Sequence, residues 1–288
     1  MAPGNEELET TRRAIMERGP VAKIMHAQEP EGHWGRPQDF YQRSKYKGTV
    51  WNLQLLAQLE ADGMDAGVQR AIDSVLHWSQ CSHGGFTYKG SPEGGKKPLL
   101  NCLTANMAFS MIRFGRLEDE RVGRAVSLMA ARFKDAEAQV YPKCIDCRSG
   151  LVKCLRALAE IPKAQRSAEV DVAIESYSEE ILERCFDLRG SGDRHMRPEW
   201  MAPSAPLMWN TDLLEMLGVL AQLGVHDERM RPAIAHVVGL RNDKGRWNMG
   251  KSFNSRYLTS IERDGRPSKL VTLHAMTLLK RLPPDLRP

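Results

Sequence analysis

Four segments of the chain open with the same short pattern: Val68-Gln-Arg-Ala71, Val122-Gly-Arg-Ala125, Val170-Asp-Val-Ala173 and Met230-Arg-Pro-Ala233, at spacings of 54, 48 and 60 residues. This period limits the fold more than any other feature, because a repeated unit that cannot bury its own apolar face must stack on its neighbours. In the first repeat Val68, Ala71, Ile72, Val75 and Trp78 fall at i, i+3, i+4, i+7 and i+10, one apolar face of a helix.

Each of these helices follows another apolar-periodic segment, at 50–59, 103–114, 151–161 and 213–223. Three of the connections are short and polar, at 60–65, 115–120 and 224–228. Gly115 and Gly224 stand where a helix C-cap needs positive φ. Asp119 and Asp227 stand where the next helix needs an N-cap or first-turn acid. The units therefore read as αα-hairpins. A turn signature recurs after the second helix: Gln28, Gly32 and Trp34; Gln80, Gly84 and Phe86; Arg241, Gly245 and Trp247; with a degraded copy over 134–141. It reads as a structural device, a helix stop at glycine followed by an aromatic that folds back into the helix layer. The count is about eleven helices, and strand signals are nearly absent.

Composition narrows the partners. With 42% hydrophobic and 27% charged residues in 288, the chain can build a core. The hairpins occupy about 21–282 and leave no room for a second domain, so 1–288 reads as one domain. No apolar run reaches the roughly 20 residues of a membrane span, and the N-terminus lacks a signal pattern, so a cytoplasmic location is expected. The net charge of +5 is spread without like-charge runs, and no nucleic-acid motif is present. The six cysteines are then expected to be reduced. The segment 189–206, with His195, Met196, Trp200 and Met201, is long enough to act as a lid.

Helical hairpins ending in Q-x-x-x-G-G-F/W about every 50 residues resemble the repeat of the terpenoid cyclase and protein prenyltransferase superfamily. Stretches such as Tyr46-Lys-Gly-Thr-Val-Trp51, Asn101-Cys-Leu-Thr-Ala-Asn106 and Met208-Trp-Asn-Thr-Asp212 resemble its short, single-domain, squalene cyclase-like prokaryotic subgroup. The resemblance implies an all-α fold, an α/α toroid of about six hairpins around a central cavity. It also implies an isoprenoid or similar apolar substrate. The departures are specific. The D-x-D-D acid motif of class II cyclases and the D-D-x-x-D motif of class I synthases are both absent. Asp146-Cys147 echoes the prenyltransferase zinc site, but position 209, where a later histidine would stand, is Trp209.

Cys144-Ile-Asp-Cys147 precedes the first helix of the fourth hairpin, and Cys102 begins the first helix of the third. Neighbouring inner-helix starts share one rim of a toroid, so these three thiols can converge on zinc and leave one tetrahedral position open. The subgroup carries cysteines at the corresponding places. The alternatives are buried free thiols or a redox pair. Cys154, two turns on, reads as core.

A second set of residues sits at equivalent helix starts: Tyr46, Thr49 and Trp51; Asn101 and Asn106; Trp209, Asn210 and Asp212; Ser268, Lys269 and Thr272. Lys269 can complement a phosphate or carboxylate. Asp212 is either a buried general acid or base, or the N-cap of the fifth hairpin. Trp51 and Trp209 either line a cavity and face a cation, or pack. His274, mid-helix, faces either the cavity or the core. Two functions fit this pattern. One is an enzyme on an apolar substrate, with Asp212, Lys269, Trp51 and Trp209 in catalysis and Tyr46, Thr49, Asn101, Asn106, Asn210, Ser268 and His274 around the substrate. The other is a non-catalytic toroid that binds a lipid or protein. The oligomeric state is not readable from the sequence.

Overall fold

Short acidic and hydroxyl side chains start the helices where the sequence places them. Asp65 accepts from the N–H groups of Gly67 and Val68, Asp119 from Arg121, Ser167 from Val170 and Asp227 from Arg229. Gly115 (φ 77°) and Gly224 (φ 75°) adopt the left-handed conformation expected of them. The computed structural model describes residues 3–41, 45–134, 140–144, 147–186 and 197–287. Within them the helices are α1 (Pro3–Glu17), α2 (Gly19–His26), α3 (Thr49–Gln58), α4 (Ala66–Ser79), α5 (Asn101–Arg113), α6 (Glu120–Ala130), α7 (Arg148–Ala159), α8 (Ala168–Cys185), α9 (Leu213–Gln222), α10 (Arg231–Gly239) and α11 (Lys269–Arg281).

The fold is all-α and double-layered. Helices α3, α5, α7, α9 and α11 stand side by side, each packed on the next, and α4, α6, α8 and α10 each back their hairpin partner. The layers differ in burial. Helix α4 buries one stripe, Val68, Ala71, Ile72, Val75 and Leu76, as a surface helix does. Helix α3 buries every residue from Thr49 to Ala57 and α5 every residue from Leu103 to Ile112.

The recurring turns are clamps between repeats. Gln28 Nε2 donates to the carbonyls of Gly32 and Gly67, joining its own turn to the start of α4. Gln80 does the same to Gly84 and Arg121 at the start of α6. The aromatic that comes next is pinned by its own backbone. Trp34, Phe86 and Trp247 donate their N–H to the hydroxyls of Thr49, Thr104 and Thr272 on α3, α5 and α11. The indoles of Trp34 and Trp247 also bond carbonyls of the preceding outer helix, at Ile24 and Val237. Gly84 is needed twice over: its φ is +89°, and a Cβ there would lie 2.5 Å from the Arg124 carbonyl carbon.

One element departs from the all-helix expectation. Strands β1 (Thr87–Ser91) and β2 (Gly94–Leu99) form an antiparallel hairpin after the second clamp. Its glycines let the backbone lie on the end of α4: a Cβ on Gly90 would meet the Trp78 carbonyl oxygen at 2.0 Å, and one on Gly95 the Ser79 oxygen at 2.2 Å. Alternation is too weak in a Gly- and Lys-rich stretch for periodicity to reveal it. Of the lid segment, 189–196 lies outside the described residues, as do 135–139 of the degraded turn copy. The described remainder packs, with Trp200 buried between Arg148 and Arg197 and the Met201 carbonyl bonded to His236.

The clamps give a direct test of the repeat geometry. Gly84→Ala should cost roughly 2–4 kcal/mol through strain and overlap. Gly123→Ala, in α6 with nothing within 4 Å of the added carbon, should add about 0.5–1 kcal/mol. Urea midpoints of the two variants measure both.

Candidate functional site

Helices α3, α5 and α7 are buried along nearly their whole length, so a long charged side chain on them must find its partners between the helices. Lys153 and Arg156 of α7, Glu215 of α9 and Asn106 of α5 meet there. The Lys153 ammonium lies 2.6 and 2.7 Å from the two Glu215 oxygens, and Arg156 Nη1 donates to the same carboxylate at 2.8 Å. Arg156 Nη2 donates to Asn106 Oδ1 at 2.6 Å, and its guanidinium lies over the Phe109 ring at 4.0 Å. Asn106 Nδ2 in turn holds the Met208 carbonyl at 3.0 Å.

The segment before α9 reaches across this centre. Gln58 of α3 both donates to the Leu207 carbonyl and accepts from its N–H. Nearby in the chain, Asp212 caps α9, accepting from Glu215 N–H at 2.8 Å through one oxygen and from Ser204 N–H at 2.7 Å through the other. At the C-terminal ends of α3, α5, α7 and α9, Arg113 pairs with Glu60 and Glu160, and Gln222 bonds Glu160, so one polar chain links the four ends.

Burial and mutual charge set the protonation states. Burial pushes the Asp212 carboxyl up to about 7, opposed by its two backbone donors. Burial pulls the Lys153 ammonium down to about 8, opposed by Glu215. Burial alone would raise Glu215, yet Lys153 and Arg156 together hold it below the ordinary carboxylate range, so this pair is charged at neutral pH. His274 of α11 is open to solvent but crowded by protein, and that crowding lowers its pKa against the pull of Glu215.

The sequence-derived candidates divide. Asn106 and Asp212 bond into the cluster of Lys153, Arg156 and Glu215, and His274 lies within electrostatic reach of it. Thr49 accepts from the Trp34 N–H. Trp51 is buried with its indole on the Tyr41 carbonyl. Tyr46 stacks on Phe253 at 4.4 Å and accepts from Trp209 Nε1 at 3.2 Å. Trp209 is 41% exposed and stands at the mouth of this aromatic group. Asn210 accepts from the Met208 N–H within its own turn. Ser268 caps α11 and bonds Glu262, while Lys269 is exposed. Asn101 donates to the Cys144 carbonyl. Lys153, Arg156 and Glu215 are not among the residues that sequence reasoning selects. Their signal is nevertheless present: Lys153 and Arg156 stand at i, i+3 in the run 151–159, otherwise apolar, and Glu215 is the one charge in α9.

Cys102, Cys144 and Cys147 share one neighbourhood. Burial raises the Cys102 thiol, and Cys144 and Cys147 raise it further. Among the described residues, no three His, Cys, Asp or Glu side chains form a group that could hold a metal ion, and no step is derived through zinc. Asp146 lies outside the described residues.

No family model matches the chain, and no curated protein matches it. Among solved structures it is similar to a protein from Actinoplanes, at 14% identity and a TM-score of 0.49, covering 95% of this chain and 75% of that one. It is similar to a variant of the type II terpene cyclase MstE from Scytonema, in complex with geranylgeranyl dihydroxybenzoate, at 16% identity and a TM-score of 0.48, covering 99% and 76%. It is also similar to Salmonella alpha-2-macroglobulin reacted with methylamine, at 13% identity and a TM-score of 0.38, covering 89% and 17%. Likenesses at this level carry no argument about chemistry, and the double helical layer rests on its own contacts.

Glu215→Gln leaves the buried Lys153 charge uncompensated and should cost about 3–5 kcal/mol, much of it restored in Lys153→Met/Glu215→Leu; urea unfolding of the three proteins measures this. The folded chain holds the Asp212 proton more tightly than the unfolded chain does. Its stability relative to Asp212→Asn should therefore fall as pH rises from about 4 to about 7, by at most about 1.4 kcal/mol per unit; urea titrations across that range measure the slope. Metal analysis of protein purified without a His-tag tests the three thiols: stoichiometric zinc lost in Cys144→Ser would establish a metal site, and trace zinc unchanged by that variant would exclude it.

Proposed function

We propose that this chain is a terpenoid cyclase-like enzyme that transfers protons to and from an isoprenoid or similar apolar substrate at the ring centre. One observation carries the reading. Asp212, the N-cap of α9, and His274 of α11 both lie within electrostatic reach of Glu215, and burial draws the first up to about 7 and the second down, the pattern general acid–base chemistry requires. The repeat resemblance supports the substrate class.

In this reading protonated Asp212 donates to an unsaturated carbon or a leaving oxygen. The carboxylate that remains is stabilised by the Ser204 and Glu215 N–H groups already aimed at its oxygens. His274, neutral at pH 7, takes the proton released from the substrate and completes the balance. Lys153, Glu215 and Arg156 are positioning residues that fix α7 against α9. The half-exposed Trp209, three residues before Asp212, offers its π face to a transient cation.

One observation favours the second reading, a non-catalytic binding toroid: both Asp212 oxygens are engaged by backbone donors, and Leu207 and Met208 pack across the centre. Incubation with a panel of prenyl-chain compounds, read by mass spectrometry of products and by native mass spectrometry of bound ligand, separates the two. The expected result is turnover by the wild type, with Asp212→Asn and His274→Asn binding ligand without converting it. Ligand bound and recovered unchanged from the wild type would establish the binding toroid instead.

A further inference from the structure

Cys144 ends the short 3-10 turn Pro142–Cys144, and Cys147 occupies the N-cap position of α7. The Cys147 N–H donates to the Cys144 carbonyl at 3.4 Å. A bond between residues three apart holds their Cα atoms within about 7 Å, and a disulfide spans Cα atoms roughly 4.4–6.8 Å apart. The backbone thus sets the two residues where a bridge can form without moving one helix against another. The Cys144 thiol registers the proximity: burial raises it, and Cys147 raises it further.

Both side chains are half-buried and line one small pocket of about 50 Å3. That is room for a molecule little larger than water. Gly150 lines it too. Its φ lies outside the left-handed region, and an added Cβ would be 3.6 Å from the Cys147 Cβ. Neither conformation nor overlap demands glycine there, and its effect is to leave the space beside Cys147 open. The helix does not demand cysteine at 147 either. A serine or aspartate would cap α7, whereas the Cys147 side chain caps nothing. The neighbouring thiols are placed otherwise: burial raises Cys102 and pushes Cys154 up to about 12, so both stay protonated. Asp212, Lys153 and His274 do not line this pocket, and its chemistry is independent of the proposed acid–base reaction.

We propose that Cys144 and Cys147 are a reversible dithiol site that hydrogen peroxide oxidises to a disulfide. The Cys147 thiolate, at a helix start where first-turn N–H groups stabilise negative charge, attacks one peroxide oxygen. The O–O bond breaks, the leaving hydroxide takes up a proton to become water, and Cys147 becomes a sulfenic acid. The Cys144 sulfur then attacks the sulfenic sulfur and hands its proton to the departing oxygen. The S–O bond breaks, the S–S bond forms and a second water leaves. Two thiols and one peroxide become one disulfide and two waters. A small dithiol restores both thiols by exchange and is itself oxidised to a disulfide.

Reduced full-length protein is exposed to equimolar hydrogen peroxide, quenched with iodoacetamide, digested with trypsin and read by mass spectrometry. The peptide Cys144–Arg148 should appear unalkylated and lighter by two hydrogens, and dithiothreitol should restore its alkylation. It should form at least tenfold faster than hydrogen peroxide oxidises free cysteine at the same pH, and the advantage should vanish in urea. Cys144→Ser should halt at a Cys147 sulfenic acid, captured by dimedone, and Cys147→Ser should leave Cys144 a thiol. Cys102→Ser should leave the rate within twofold of the wild type. A rate no faster than free cysteine, a bridge that includes Cys102 or Cys154, or stoichiometric zinc on the thiols would overturn the site.

Discussion

A helix enclosed by neighbours on every side has no solvated face, and this constraint organises the molecule. Helices α3 and α5 are buried along nearly their whole length, and α7 is buried at all its residues except Arg156. A lysine or glutamate on such a helix must be paired or neutralised, because an isolated charge in that environment costs several kcal/mol. Lys153, Arg156 and Glu215 meet the requirement by meeting one another. Their pairing ties α7 to α9, and through Asn106 and Met208 it ties both to α5 and to the segment that crosses the centre.

The clamps do the complementary work at the repeat boundaries. Each glutamine satisfies carbonyls of two successive repeats, and each aromatic carries an N–H to an inner-helix threonine. These bonds are short-range in sequence for the aromatics and span some 40 residues for the glutamines. One hairpin is thereby set on the next with the same offset. Repetition of that offset gathers the polar residues of α5, α7, α9 and α11 around one axis.

Much of this architecture is legible in the sequence. The hairpin count, the capping acids and the positive-φ glycines follow from periodicity and turn chemistry, because those are local. So does the N-cap position of Asp212. The β-hairpin is not legible, since its strands exist by lying against α4 and not by alternation. Lys153 and Glu215 are separated by 62 residues, and no local signal pairs them. Tyr46 and Trp51 are aromatics near a helix start, where the sequence allows either a cavity wall or packing; they stack into a buried cluster in which their polar atoms find partners.

The sequence by itself determined a repeated αα-hairpin with a glutamine–glycine–aromatic turn, because helix periodicity, caps and φ-restricted positions act over a few residues. The tertiary structure decided which charges meet between the inner helices and which cysteines share a neighbourhood. Those outcomes depend on the angle at which one hairpin docks on the next. That angle is set by contacts between residues some 40 to 60 positions apart in the chain, whose partners a linear reading does not name.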